Sequence, residues 1–356
     1  MNGNPIKESQ KEKYLGDYMT KNANPKATIE DRKNKGNGIL SKMHALLQDI
    51  PLGSKRLEIG LTLREAWFVN GTLFNSEVWS AYTNNDIKVL ELLDRKILRL
   101  ILGAQGKVPC EMLYLETGAL ELKHVIAVRR IVYLQNILKK HESEIIKKIY
   151  NAQKKSPCYG DWVLLVEADK IKYEIEYTDE KISQIPDEEF KKDVKNKVRQ
   201  YAFKELKEIQ SDHEKVKDIE FESLKEPQNY LKDKRFNNKI SSLLLNLRCQ
   251  SVNGIKGNFR KLYEGNLECQ LKCNTKIETQ EHITQCHELI KHLNPEQKKL
   301  LDSVQYCDLF GNTSKQLNIT KLFKTLLGIR ERLLGNPRSR PATARIVDPV
   351  ASTCLS

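Results

Sequence analysis

Three thiols and one imidazole fall within eighteen residues of one another: Cys269, Gln270, Leu271, Lys272 and Cys273, then eight residues to His282 and three more to Cys286. Sulfur and imidazole nitrogen are the donors that a closed, four-coordinate structural zinc ion prefers. So short and polar a segment has little core of its own, so metal binding would supply its folding energy. A thiolate pair on a turn, followed by a His/Cys pair on the start of a helix, is a workable arrangement. Thr279 is placed to cap that helix, with Glu281 and His282 in its first turn, and His282 and Cys286, four apart, share a face. The spacer between the first two cysteines is three residues rather than the two of a tight knuckle, and a metal-free helical hairpin with buried thiols is the competing reading. His287, about 100° round the helix from Cys286, reads as solvated. Cys110, Cys158, Cys249, Cys307 and Cys354 show no pair spacing and read as small core residues or exposed thiols.

Other chemistry has no visible seat. Polymerases and nucleases that share two divalent ions need neighbouring carboxylates, and no Asp-Asp pair occurs in the chain. There is no G-x-x-x-x-G-K-[ST] loop, no G-x-S-x-G elbow and no H-E-x-x-H; Gly36 and Gly38 lie inside a helical pattern. The acidic residues read as solvated Glu-Lys helix faces. Basic residues are more suggestive: Arg32, Lys33 and Lys35 on an early helix, Lys55 and Arg56 at the start of the next, and Arg129 with Arg130 on a long one. Such positions grip a nucleic-acid backbone without reading sequence; the bland alternative for each is a solvated face or an internal ion pair. Arg129 and Arg130, being adjacent, do not both face a core, so at least one is expected to meet a phosphate or a carboxylate.

The chain has 356 residues, which suggests two domains or one with appendages. Its net charge is +13, and the excess sits in residues 1–150 and 251–356 while the stretch between is balanced. Such an excess attracts a polyanion, with nucleic acid favoured. Membrane spanning is excluded because even the most apolar stretch, 89–102, carries Glu91, Asp94, Arg95, Lys96 and Arg99. The first residues lack the apolar core of a secretory signal, so a nuclear or cytoplasmic protein with reduced thiols is expected, not a secreted one.

The patterning predicts a mainly α protein. Residues 1–26 form a polar start with a strand over 14–19, 27–155 a multi-helical domain, 156–247 a connector with amphipathic helices, 248–292 the Cys/His module, 293–334 a C-terminal helical region and 335–356 a disordered tail. Within the first domain, a helix from Thr28 ends at Pro51, Ser54 caps the next, and Asn70-Gly71 breaks it. Asn85 or Asp86 caps the clearest helix, which ends at Gly103; Pro109 and Gly118 bracket a short one, and a single long helix runs from Leu122 to about Tyr150. Residues 171–177 alternate and fit either an edge strand or a poorly periodic helix. An amphipathic helix over 187–211 has Phe190, Val194, Val198, Ala202 and Leu206 as its stripe, mixed helical sequence continues to 247, and a last helix covers about 318–334.

Taken in order, several pieces carry a family resemblance: Lys13-Tyr14-Leu15-Gly16, NGTLFNSEVW (70–79), LELLDRKILRLILG (90–103), PCEMLYLETGALEL (109–122), AVRRIVYL (127–134), GNFRKLYEGNLECQLKC (257–273) and ETQEHITQC (278–286). Together, over about residues 13 to 290, they resemble the carboxy-terminal part of reverse transcriptases from LINE-like non-LTR retrotransposons. The resemblance implies that the chain begins beyond the palm's catalytic carboxylates, that its helices form a thumb-like domain holding RNA or an RNA/DNA template-primer duplex, and that a CCHC zinc module follows. It implies no catalytic residues here and a possible partner in the palm-bearing part of the same polyprotein. A restriction-like endonuclease would need a Pro-Asp start, and past Cys286 there is only Asn294-Pro295-Glu296. A helical protein-interaction or relict chain without nucleic-acid binding is the alternative function.

Overall fold

The computed structural model describes residues 9–14, 17–21, 25–51, 53–79, 82–236, 239–262, 267–273, 277–311 and 313–335. The tail expected to be disordered lies, but for Gly335, outside the described residues, as do Leu15, Gly16 and Cys354. The described chain is mainly helical, as its periodicity implied. Near the N-terminus, two strands replace the one expected: β1 (Lys11–Tyr14) pairs antiparallel with β2 (Asp17–Thr20), Lys11 opposite Thr20 and Tyr14 opposite Asp17. The Tyr18 amide donates to Thr28 Oγ1 at 2.9 Å, which ties this hairpin to α1 (Lys26–Leu47).

The next helix, α2 (Ser54–Leu63), starts after Gly53 rather than from a Ser54 cap; Gly53 has φ 136°, a conformation that glycine adopts without strain. Asn70-Gly71 does not break it. The chain continues through a wider π-turn, Arg64–Val69, into Asn70–Thr72, because Phe68, Val69 and Thr72 are all fully buried and Thr72 Oγ1 donates to Phe68 O at 2.7 Å. α3 (Asn84–Leu102) is capped by Thr83, two residues before Asn85 and three before Asp86, with Asp86 returning the bond as its capping-box partner. Gly103, at φ 63°, closes it as foreseen. α1 lies against α3 at Gly36, where a Cβ would meet Leu93 Cδ1 at 2.9 Å, so this glycine permits the close approach instead of weakening the helix.

α4 (Cys110–Thr117) follows Pro109 and ends at Gly118, φ 67°. The single helix expected from Leu122 is two, α5 (Leu122–Leu138) and α6 (Ile145–Lys155), separated by a turn. Lys147 reaches back from α6 to donate to Leu138 O at 3.0 Å, satisfying a terminal carbonyl that a continuous helix would have bonded internally. After α7 (Trp162–Lys172) and α8 (Asp179–Gln184) comes α9 (Asp187–Ser211). Residues 171–177 are therefore a helix end and an irregular turn, with Glu174 at φ 56°, and not a strand. The remaining helices are α10 (Asn229–Lys232), α11 (Ile240–Arg248), α12 (Gln280–Gln285), α13 (His287–Ile290), α14 (Pro295–Ser303) and α15 (Thr313–Leu333).

Buried apolar side chains gather into two clusters. The larger takes residues from Ile29 to Ile126 and again from Ala202 to Ile329; the smaller runs from Ala127 to Val198. Thus α5 and α9 each contribute to both, and the Cys/His segment shares its core with the first helices. At the junction, His124 is wholly buried, with Nδ1 2.9 Å from the Tyr173 hydroxyl and Nε2 3.3 Å from Glu205 and 3.5 Å from Glu121. Lys123 Nζ lies 2.6 Å from Glu205 and 3.2 Å from Glu121. Three further buried ion pairs join distant segments: Arg64 with Asp94 at 2.6 Å, Arg248 with Glu116 at 3.1 Å and Arg330 with Glu278 at 2.7 Å. Asp94, Glu116 and Glu278 are fully buried rather than solvated, because each faces a guanidinium that offsets its lost hydration.

Candidate metal centre and basic residues

Sequence places Thr279 one residue before α12, and its side chain accepts the His282 amide at 3.0 Å, so the first turn of this helix is fixed where the imidazole must point. Cys286 closes α12 and opens α13 in extended conformation, which turns its sulfur back toward the turn that carries Cys269 and Cys273. The three-residue spacer does not carry a sulfur away. Lys272 takes φ 54°, and its amide donates to Cys269 O at 2.9 Å, closing a tight turn with the extra residue in the left-handed region.

Cys269, Cys273, His282 and Cys286 accordingly present their sulfur and nitrogen atoms within 4.8 Å of one another, close enough for all four to hold one metal ion. Cys273 Sγ lies 3.2 Å from His282 Nε2, and Cys269 Sγ lies 4.0 Å from Cys286 Sγ. Cys269, His282 and Cys286 are buried and Cys273 half-buried. Burial pushes the Cys269 thiol up and the Cys286 thiol to about 12, while amides of Leu271 and Cys273 donating to the Cys269 sulfur, and that of Leu289 donating to Cys286, pull the other way. Amides aimed at sulfur stabilise thiolate and are the usual companions of a metal-held cysteine. Burial also pushes His282 below the ordinary histidine range, favouring the neutral imidazole that a metal requires. His287 is solvated, as expected, with its ring 3.4 Å from Glu288. Of the other cysteines, Cys249 is buried, Cys110 half-buried, and Cys158 and Cys307 exposed.

The centre is docked rather than free. Gln280 donates to Leu247 O at 2.7 Å and to the Tyr306 hydroxyl at 3.0 Å; the Gly257 amide donates to Glu278 O at 2.8 Å. Four donors in a largely buried setting would leave a bound ion no open position for substrate, the arrangement of a structural rather than a catalytic site. Comparison of the chain with protein-family models, with curated proteins and with solved structures finds no match.

The basic residues singled out in the sequence fare differently, and the four arginines all have hydrogen-bond partners within the fold. Arg32 is 3% exposed and donates to Asp17 at 2.8 Å and to Gly71 O and Phe74 O at 3.4 Å. Arg56, 8% exposed, donates to Leu47 O at 2.7 Å, Ile50 O at 3.1 Å and Leu100 O at 2.8 Å, closing carbonyls at two helix ends. Arg129 donates to Leu73 O and, at 2.7 Å, to Asn70 Oδ1; Arg130 pairs with Asp169 at 2.6 Å and reaches Trp79 O at 3.4 Å. The forked guanidinium of each spans acceptors from separate segments, so these donors help to anchor the fold, Arg32 and Arg56 from buried positions and Arg129 and Arg130 from half-buried ones. Arg130 does meet the carboxylate expected of one of the adjacent pair.

Lys33, Lys35 and Lys55 remain at the surface. Lys33 lies 3.3 Å from Glu30, three residues before it, and Lys55 is exposed in the first turn of α2. Lys35 is exposed and lines a cleft with Lys13, Asp31 and the half-exposed Phe74. The cleft includes neither Lys33 nor Lys55. Among the described residues, no helix is long and apolar enough to cross a membrane.

Proposed function

We propose that the chain is a non-catalytic, nucleic-acid-holding part of a LINE-like retrotransposon reverse transcriptase, its C-terminal half built round a structural zinc ion. The observation that carries this reading is the convergence of Cys269, Cys273, His282 and Cys286 at the place, after a helical body, where the resembled family has its zinc module. A tetrahedral zinc ion with sulfur at about 2.3 Å and nitrogen at about 2.0 Å sets ligand-to-ligand edges close to the 4.0 Å and 3.2 Å separations found. Three sulfurs and one nitrogen are a zinc donor set rather than one for a hard, oxygen-seeking cation. Bound zinc would fold and fix the module, and the absence of an Asp-Asp pair agrees with a positioning role in which bond-making belongs to a palm-bearing partner.

The charge of +13 supports a polyanionic ligand held by phosphate contacts. A second reading, a helical protein-interaction or relict chain, is favoured by the internal hydrogen bonds that engage Arg32, Arg56, Arg129 and Arg130. Competition separates the two. An RNA/DNA primer-template duplex retained against excess heparin, with affinity falling steeply between about 50 and 200 mM salt, is the expected result. Equal displacement by heparin would sustain the second reading.

A further inference from the structure

We propose that the groove along the outer face of α9, walled by Lys191, Lys192, Lys195, Arg199 and Lys225, is a binding site for the sugar-phosphate backbone of a single nucleic-acid strand. The proposal rests on the nucleic-acid reading above and gives it a location that the sequence did not mark, since residues 151–250 carry no net charge.

The fold sorts the charges of this balanced stretch. Along α9 most acids are drawn to the ends or the inner side: Asp187, Glu188 and Glu189 occupy the first turn, where the helix dipole favours them, and of these Glu188 lines the groove together with the basic residues. Asp193 accepts from the Tyr177 hydroxyl at 3.1 Å, and Glu205 faces Lys123 at 2.6 Å. What remains on the outer side is a basic stripe, with Lys191, Lys195 and Arg199 spaced by four residues, about 6 Å of axial rise per step, and Lys192 beside them. Lys191 lies 3.3 Å from Glu188. Lys192, Lys195 and Lys225 are exposed and have no carboxylate partner among the described residues, unlike Lys139 with Asp187, Lys154 with Asp179 or Lys232 with Glu226.

The second wall is held in place by the fold itself. Arg199 Nη1 donates to Leu224 O and Lys225 O, both at 3.0 Å, and Leu224 is buried. Just beyond, the Gln228 amide donates to Glu116 O at 2.9 Å, and the loop passes so near the end of α4 that a Cβ at Gly118 would stand 2.7 Å from the Glu226 carbonyl carbon. Lys225 is therefore presented across from Lys192 and Lys195 on a fixed segment, enclosing a groove of about 450 Å³. Unpaired ammonium groups converging on a concave surface focus positive potential, and release of counterions from a phosphate backbone supplies the affinity.

The test measures binding of a fluorescein-labelled unstructured RNA oligonucleotide to the full chain by anisotropy over a salt series. The triple variant Lys192→Glu, Lys195→Glu, Lys225→Glu is compared with a charge-matched control on other exposed helices, Lys298→Glu, Lys299→Glu, Lys321→Glu. Affinity lower by at least about tenfold in the groove variant, with a log–log salt slope shallower by about two and little change in the control, supports the groove. Tight binding by the natural sequence with equal weakening in both variants, or none in either, overturns the groove and leaves the nucleic-acid reading standing. No binding of the oligonucleotide by the natural sequence at low salt overturns the groove, and the nucleic-acid reading falls with it only where the primer-template duplex is not retained either.

Discussion

Arg330, near the end of α15, donates from Nε at 3.0 Å and from Nη2 at 2.7 Å to a single carboxylate oxygen of Glu278, the residue before the cap of the helix that carries His282. Nη2 also donates to Gly254 O at 2.7 Å. One guanidinium thus ties the last long helix to both the entry and the middle of the Cys/His segment. The centre that looked in the sequence like a small independent module is part of the larger core.

Removing Arg330 leaves the Glu278 carboxylate buried and unpaired. Arg330→Ala is expected to lower stability by about 3–5 kcal/mol, read as a shift in the urea midpoint followed by circular dichroism. Replacing both partners with methionine should cost less than the single change, since no charge is then left uncompensated. Equal midpoints for Arg330→Ala and the natural sequence would mean that the pair does not hold these segments together.

Arg130 is bonded to Asp169, and its truncation should act on the fold. Arg130→Ala is expected to lower stability by about 1–3 kcal/mol while leaving the salt slope of RNA binding unchanged. A slope shallower by about one, with the melting temperature unaltered, would instead make it a phosphate contact.

Acid should loosen the junction between the two cores. His124, with help from Lys123 and against the opposing effect of burial, holds the Glu205 carboxyl down to about 2 from its ordinary 4.5. A carboxylate whose folded value is depressed adds stability that is present in full above the ordinary value and is lost as pH falls from 4.5 toward 2. Glu205→Gln should therefore lower the melting temperature at neutral pH and flatten its dependence on pH across that window. An unchanged acid limb would show that Glu205 does not carry it.

What the sequence revealed and what it hid follow from the kind of information each feature needs. The stripe Phe190, Val194, Val198, Ala202, Leu206 is strictly periodic, and all five side chains are buried. Gly103 and Gly118 end their helices because left-handed termini favour glycine, and Thr279 caps α12 because a hydroxyl accepts a free amide locally; such features are written in neighbouring residues. The break after Leu138 is not. Lys139-Lys140-His141-Glu142 contains neither glycine nor proline, and the interruption is held by Lys147 and by Tyr150, which donates to Asp179 at 2.7 Å. Buried arginines escape for a similar reason: sequence reports a charge but not which carbonyls converge on it. The Cys/His cluster that could hold a metal was readable from donor type and order alone, whereas the turn at Lys272 that brings its first two cysteines together across the longer spacer depends on backbone geometry.

Metal content tests the centre most directly. Protein purified without chelator is expected to carry one equivalent of zinc per chain by elemental analysis, with loss of that equivalent, and a lower melting temperature, in Cys273→Ser and in His282→Ala. Protein of the natural sequence that folds with the same melting temperature and holds no metal would contradict a zinc-built C-terminal half.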